Sequence, residues 1–355
     1  MSHQVNKSIL IVCEGEGTEP SYFSSIRDLL INKNLKVAIT ISPLPKEEQE
    51  IVHEVRVGGK RRQLKEVEPS KEEDLRKFSI EDEFKAQPIR YVREAQIGLE
   101  SGAFDEVWAV FDKDGHPKQK EAFELAQRII NDNIVNIGFS SISFEHWILL
   151  HFENNYTAFH KSKCRNGDEV FDCGNDIHEN DCKGKSCVCG YMVSKELLPN
   201  NCKDKLFLIS DLPAPSIAFK NAVELRKCYT SGPIYLLNPY TDVDKLVFSL
   251  IHMPKCYTWK NNTGKVLIGN ITYEIHRLKD KVKITIENLN PLQRFILNEH
   301  VFQLIDANGE AFSFGERKII DKEETLNLNL IDIGTFDPLY ISCKISENQF
   351  FICDF

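Results

Sequence analysis

Three short stretches of the chain carry enough acid to do chemistry: "CEGEGTE" (Cys13 to Glu19), "VFDKDGH" (Val110 to His116) and "SISFEHW" (Ser141 to Trp147). In the second, Asp112 and Asp114 alternate across one lysine. Just beyond a strand, that spacing can aim two carboxylates at a single hard cation. Mg²⁺ takes six oxygen ligands at about 2.0–2.1 Å and keeps several of its waters, so two or three carboxylates from separate loops suffice. A second ion about 3.5–4 Å away would give the two-metal clamp of phosphodiester cleavage, one ion activating water and the other holding the leaving oxygen. A lone D-x-D is usually a polar turn, and Glu16 alone reads as a solvated turn residue, so the argument for a metal rests on the three segments together. His116 and His146 stand near the acids and are candidates for proton transfer, because imidazole titrates near neutrality. A surface or helix-packing role is the plainer reading of each.

These acids can converge only if the elements that carry them end at one edge. "SILIVCEG" is a short apolar run ending at glycine, the mark of a buried parallel strand, and "TEPSYFSSIRDLL" follows as a helix with Thr18 as N-cap and Pro20 in its first turn. "KVAITISPL" reads as a strand, "PIRYVREAQIGLESG" as an amphipathic helix ended by Gly102, and "FDEVWAVFDKDG" as a second buried strand. "KEAFELAQRIINDN" reads as a helix, "VNIGFSSIS" as a strand and "FEHWILLHF" as the start of another helix. Alternating strands and helices with functional residues at strand ends predict an α/β domain with a parallel sheet, whose strand ends face one ligand-binding edge.

Residues 45–88 are highly charged with few large apolar side chains and read as an insertion; residues 155–205 shift to Cys, Asn, Gly and Lys and read as a second one. Helical patterning resumes at "PSIAFKNAVELRKCY" and "TDVDKLVFSLI". From residue 254 onward, alternating segments separated by Asn, Asp and Gly turns predict an all-β, Ig-like sandwich over 254–355, leaving 1–253 as the catalytic domain.

A chain of 355 residues that is 42% hydrophobic is long enough for two domains. No run of eighteen apolar residues occurs, and "MSHQVNKS" lacks the apolar core of a secretory signal, so the expectation is a cytoplasmic protein without a membrane role. The net charge of −9 does not advertise nucleic-acid binding, yet an acidic protein can act on phosphates once divalent cations invert the local field. The basic run "VGGKRRQLK" (Val57 to Lys65) could touch a phosphate backbone, although taken alone it reads as a solvated loop.

An acidic strand end with glycine, followed about a hundred residues later by D-x-D, resembles the TOPRIM domain of topoisomerases, primases and OLD-family nucleases. More narrowly, "ILIVCEGEGTEPSYF", "VWAVFDKDGH", "SFEHWILLHF" and the late "LLNPYTDVDKLV" look like the RloB-like proteins of bacterial restriction-linked and phage-defence loci, over roughly residues 5 to 252. The resemblance implies a TOPRIM-like, Rossmann-like parallel sheet with helices on both faces. It puts the TOPRIM glutamate on Glu14, the D-x-D pair on Asp112 and Asp114, and the Ser-x-Glu used for metal by OLD-type nucleases on Ser143 and Glu145; Glu19 corresponds to a second glutamate with spacing off by one. Gly17 stands where a lysine is common, and "SSISFEHW" replaces a more usual "SNPCFELW", which leaves contact with a substrate phosphate open.

The expected function is therefore a Mg²⁺- or Mn²⁺-dependent nuclease in anti-phage defence, with DNA, tRNA or another RNA as substrate. The resemblance further implies a regulatory ATPase encoded nearby. Two alternatives stay open: nucleotidyl or nucleotide phosphoryl transfer in the same metal cage, and a non-enzymatic sensor or adaptor. There is no Walker-A pattern and no protein-kinase signature. The C-terminal domain carries no catalytic cluster and is a candidate for partner binding or oligomer formation.

Eleven cysteines in a cytosolic chain argue for reduced thiols or metal ligands. Cys173, His178, Cys182, Cys187, Cys189 and Cys202, with Cys164 nearby, lie among residues that bury little core, and a tetrahedral Zn²⁺ would supply the missing folding energy. Their spacing is C-x-C rather than paired C-x-x-C, so a loop with reduced thiols is the competing reading. Cys13, Cys228, Cys256, Cys343 and Cys353 lie in apolar segments and read as small core residues. Metal analysis of the untreated protein separates the two readings of the insertion. A structural ion predicts at least one zinc per chain, and substoichiometric zinc counts against it.

Overall fold

The computed structural model describes residues 7–15, 17–33, 37–43, 84, 86–113, 116–160, 165–166, 169–170, 187–198, 207–229, 231–252, 258–260, 265–268, 270–278, 281–297, 302–315, 317–328, 331–344 and 350–355. The chain divides into two compact units, Met1–Lys255 and Cys256–Phe355. The charged insertion up to residue 83 lies outside the described residues, as does the basic run within it.

The first unit is built on a five-stranded sheet. β1 (Lys7–Cys13), β2 (Val37–Ser42), β3 (Glu106–Asp112) and β4 (Asn136–Ser141) are parallel, and β7 (Tyr240–Thr241) adds an antiparallel edge, in the order β2-β1-β3-β4-β7. Continuous apolar runs form the inner strands because both faces are covered. On one face Leu10, Val12, Val107, Ala109, Phe111, Ile137 and Phe139 pack with residues of α2 (Ile89–Glu100) and α3 (Gln119–Ala126). On the other, Lys7 and Glu106 reach Ser249 of α7 (Val243–His252). The remaining α-helices of the unit among the described residues are α1 (Thr18–Asn32), α4 (Glu145–Leu150), α5 (Val188–Ser194) and α6 (Pro215–Lys227), and β5 (Arg165–Asn166) pairs antiparallel with β6 (Glu169–Val170).

Some local expectations need correction. Gly17, not Thr18, is the N-cap of α1, and no side chain caps it. The third helix stops at Ala126 rather than running through "RIINDN": Asn131 and Asp132 take positive φ, which Asn and Asp tolerate, and Asn131 Nδ2 donates to Leu99 O at 2.8 Å. Gly102 ends α2 as expected, at φ +66°.

The second unit has two larger sheets. One orders β16 (Thr325–Asn327), β11 (Lys281–Asn288), β10 (Ile271–Leu278) and β9 (Lys265–Ile268), with β17 (Ile331–Asp332) also on β11. The other orders β14 (Ala311–Phe314), β13 (Phe302–Asp306), β18 (Pro338–Lys344), β19 (Phe350–Asp354) and β8 (Thr258–Trp259). β12 (Phe295–Leu297) pairs with β15 (Lys318–Ile320). Pairing is antiparallel except between β19 and β8. Val282, Ile284 and Ile286 alternate inward along β11 and share one core with Phe302, Leu304, Ile341, Cys343, Phe351 and Cys353 of the facing sheet. Cys343 and Cys353 are thus core residues, as is Cys13. Cys228 is exposed instead, because α6 ends one residue before it at the surface. Cys256 lies outside the described residues.

A buried ion pair ties the start of β1 to the start of β3. Lys7 Nζ lies 2.6 Å from Glu106 Oε2 and donates to Ser249 Oγ at 2.8 Å, while Ser249 Oγ and Trp108 Nε1 donate to Glu106 Oε1 at 2.9 and 2.5 Å. Removing one partner of such a pair leaves an uncompensated buried charge. Lys7→Met is expected to lower stability by roughly 3–5 kcal/mol in urea unfolding. The double variant Lys7→Met/Glu106→Gln is expected to recover most of that loss, because the neutral amide that replaces the carboxylate keeps an acceptor for Ser249 and Trp108.

Candidate functional site

The sheet order reverses at β1, with β2 on one side and β3 on the other. In open α/β sheets the crevice outside the carboxyl ends at such a point is where ligands bind. Glu14 follows β1 directly, Asp112 closes β3, and the turn after β4 leads through Ser143 to Glu145 at the first position of α4. Glu19 comes from the first turn of α1, which starts two residues after Glu16, itself outside the described residues.

Backbone bonding fixes this edge. Glu14 N donates to Val110 O at 2.9 Å, continuing the β1–β3 pairing one residue past the strand. Glu14 Oε2 accepts from Asp112 N at 2.9 Å, and His116 presents Nε2 to the other oxygen, Oε1. Glu19 is buried, and a Cβ at position 15 would stand 3.3 Å from its Oε2, so Gly15 leaves room for that oxygen.

The electrostatics are those of like charges held together. Burial first, then repulsion by Glu145 and Glu14, pushes the Glu19 carboxyl up to about 7. Burial, then Glu19, Glu145 and Glu14, holds Asp112 well above the ordinary carboxylate range, although the Phe144 N–H acts in the opposite sense. Among the described residues no Lys or Arg forms an ion pair with Glu14, Glu19, Asp112 or Glu145. Ser143 Oγ, buried two residues before Glu145, has no hydrogen-bond partner among the described residues.

Hard oxygen donors, unneutralised charge and an orphaned hydroxyl suit a hydrated divalent cation in donor chemistry. Among the described residues, however, no three of the His, Cys, Asp and Glu side chains gather as a metal-binding group. Asp114 lies outside the described residues.

The two histidines part company. His116 faces Glu14 with part of its ring still in solvent. His146 is fully buried edge-on to Phe159, both ring nitrogens lack hydrogen-bond partners among the described residues, and burial alone pushes it down to about 4. His116, not His146, is therefore the histidine at the carboxylates; His146 points into the apolar interior because it sits on the packed side of α4.

Of the cysteine insertion, Cys187 and Cys189 are described; Cys164, Cys173, His178, Cys182 and Cys202 lie outside the described residues. Cys187 is buried at the N-cap of α5, its Sγ accepting from Gly190 N at 3.3 Å.

Several supporting residues were not visible as such in the sequence. Lys113, between the two aspartates, donates to Leu236 O and Leu237 O at 3.1 and 3.3 Å. Gln119 Nε2 donates to Asp112 O at 3.0 Å. Asp242, in the "NPYTD" segment, accepts from Phe139 N at 2.7 Å through Oδ1 and donates its own N–H to Phe139 O at 3.1 Å. That segment holds the end of β4 in place, so its role is support rather than chemistry. Only the segment's likeness to a family motif could have flagged it, because nothing local marks a residue whose partner is about a hundred positions away.

A family model described as RloB-like protein matches residues 9–250, which includes all of these acids. The chain belongs to the RloB-like family. No curated protein and no solved structure matches it. The match to the RloB-like family ends within α7, so it spans the sheet, the carboxylate edge and the "NPYTD" support, and excludes the second unit.

The raised Glu19 carboxyl has a thermodynamic consequence. Folded Glu19 keeps its proton up to about 7, whereas its ordinary value is 4.5, so its contribution to stability is present below 4.5 and is lost as pH rises through 7. In EDTA, Glu19→Gln is expected to match wild type near pH 4.5 and to exceed it by about 1–3 kcal/mol at pH 8. The buried His146 and His151 slope the other way, and taking the difference between the two proteins cancels them. Urea midpoints at several pH values check this; a difference that does not change with pH would remove Glu19 as the proton holder.

Proposed function

We propose that this RloB-like chain is a divalent-metal-dependent phosphodiesterase with a TOPRIM-like catalytic sheet, a nuclease acting on DNA or RNA, tRNA included, in anti-phage defence. One observation carries the reading: Glu14, Glu19, Asp112 and Glu145 come from three separate segments to the switch point of a parallel sheet and repel one another there without a Lys or Arg partner among the described residues. Keeping such repulsion is costly unless a cation is part of the working site.

In this reading Asp112 and Asp114 would hold Mg²⁺ or Mn²⁺, with Glu14 a ligand or general base, and Glu145, Glu19 and Ser143 would serve a second ion. When bound, the cations supply Lewis-acid stabilisation of a phosphate and a water acidic enough to attack it. The chain itself keeps the reacting groups in register. Asp112 is anchored at its N–H by Glu14 and at its carbonyl by Gln119, so its backbone needs little rearrangement. Glu14 and His116 share a hydrogen bond between Oε1 and Nε2, a place where a proton taken from water can rest. A nearby-encoded ATPase as regulatory partner belongs to the same proposal and rests on family resemblance, and a cytoplasmic setting is proposed with it. Among the described residues no helix is long and apolar enough to cross a membrane.

The test uses the full chain with labelled tRNA and with plasmid DNA, in Mg²⁺, Mn²⁺ or EDTA, with and without the neighbouring ATPase. Cleavage of one substrate is expected with metal and not in EDTA. Asp112→Asn should reduce it by more than about a hundredfold, beyond what loss of a ligand's outer partner produces. Cleavage that persists undiminished in Asp112→Asn would remove the carboxylate edge as the active site. Absence of cleavage on either substrate, with the ATPase present, favours a sensor or adaptor instead.

A further inference from the structure

The turn that carries Asp112 is held by a residue outside the acidic constellation. Gln119, the first residue of α3, is buried, with only 7% of its surface exposed. Its Nε2 donates to Asp112 O at 3.0 Å and lies 3.4 Å from Lys113 O. Its other polar atom, Oε1, is buried with no hydrogen-bond partner among the described residues. A half-satisfied buried amide is a poor choice for stability, because the unpaired oxygen has given up water for nothing. Such a group is retained where its other half does something an apolar side chain cannot. Here that half grips the carbonyl of Asp112, whose N–H is held by Glu14.

We propose that Gln119 is a positioning residue: its amide fixes the Asp112 turn so that the carboxylate is set in advance for a divalent cation. This rests on the metal-dependent reading above. Groups that orient a metal ligand typically change affinity by about tenfold to a hundredfold when removed.

The experiment measures Mn²⁺ binding to the purified full chain by the loss of the free-ion EPR signal, and thermal unfolding in EDTA. Gln119→Met is expected to weaken Mn²⁺ binding by about tenfold and to leave the unfolding temperature equal to or above that of wild type. Unchanged Mn²⁺ affinity in Gln119→Met would overturn the assignment. So would a lowered unfolding temperature accompanying the weaker binding, since that is the signature of a residue needed only for folding. Gln119→Leu repeats both measurements if Gln119→Met does not fold, and failure of both to fold counts against positioning. Asp112→Asn is the control: wild-type Mn²⁺ affinity there removes the metal reading itself, whereas weakened binding in Asp112→Asn with none in Gln119→Met removes only the role of Gln119.

Discussion

Repulsion among carboxylates at one sheet edge is the constraint on which the first unit depends. Glu19 is pushed upward by burial, then by Glu145 and Glu14, and Asp112 by burial, then by Glu19, Glu145 and Glu14. Left to itself, a chain relieves such crowding by turning the side chains into water. Here relief is blocked by fixed bonds: both oxygens of Glu14 are engaged, the Asp112 backbone is held by Glu14 and Gln119, and Glu19 is buried against a position kept clear by glycine.

Much of the remaining polar interior reads as scaffolding for that edge. The Lys7–Glu106 pair with Ser249 and Trp108 fixes the opposite ends of β1 and β3, whose register then decides that Glu14 meets Asp112. At the far side, the Arg226 guanidinium grips both oxygens of Asp244 at 2.6 and 2.8 Å and also donates to Thr241 O, joining α6, β7 and α7. Asp242 then bonds to Phe139 in both directions and locks the end of β4, from which the Ser143–Glu145 turn departs. Bidentate and doubly bonded contacts of this kind impose direction as well as attraction, which is what a turn carrying functional side chains requires.

The two histidines illustrate how tertiary packing sorts similar residues. Both follow an acidic residue closely in sequence, but His116 lies on a turn that bends back to Glu14, while His146 lies on the helix face turned toward Phe159. An imidazole with neither nitrogen paired and no solvent is held neutral, and it serves the interior as an aromatic ring.

The sequence by itself determined the strands and helices that carry the acids. Continuous apolar runs ending in glycine or acid can be satisfied only as buried parallel strands, and their carboxyl ends then share an edge. It also showed that the acids at the three strand ends could converge, with Glu19 added through family resemblance, and that the C-terminal part would be β-structure, because period-two alternation is local information. Local information could not reach the supports. Gln119, Lys113 and Asp242 look ordinary in sequence because their partners are backbone groups in segments set beside them by the fold. Nor could it show where the third helix stops, the solvent exposure of Cys228, or the burial of His146, since each depends on which neighbouring element covers that surface. Only the tertiary structure decided that the acids meet at the point where the sheet order reverses. Strand order arises from long-range pairing of β1 with both β2 and β3, and no short stretch of sequence encodes that.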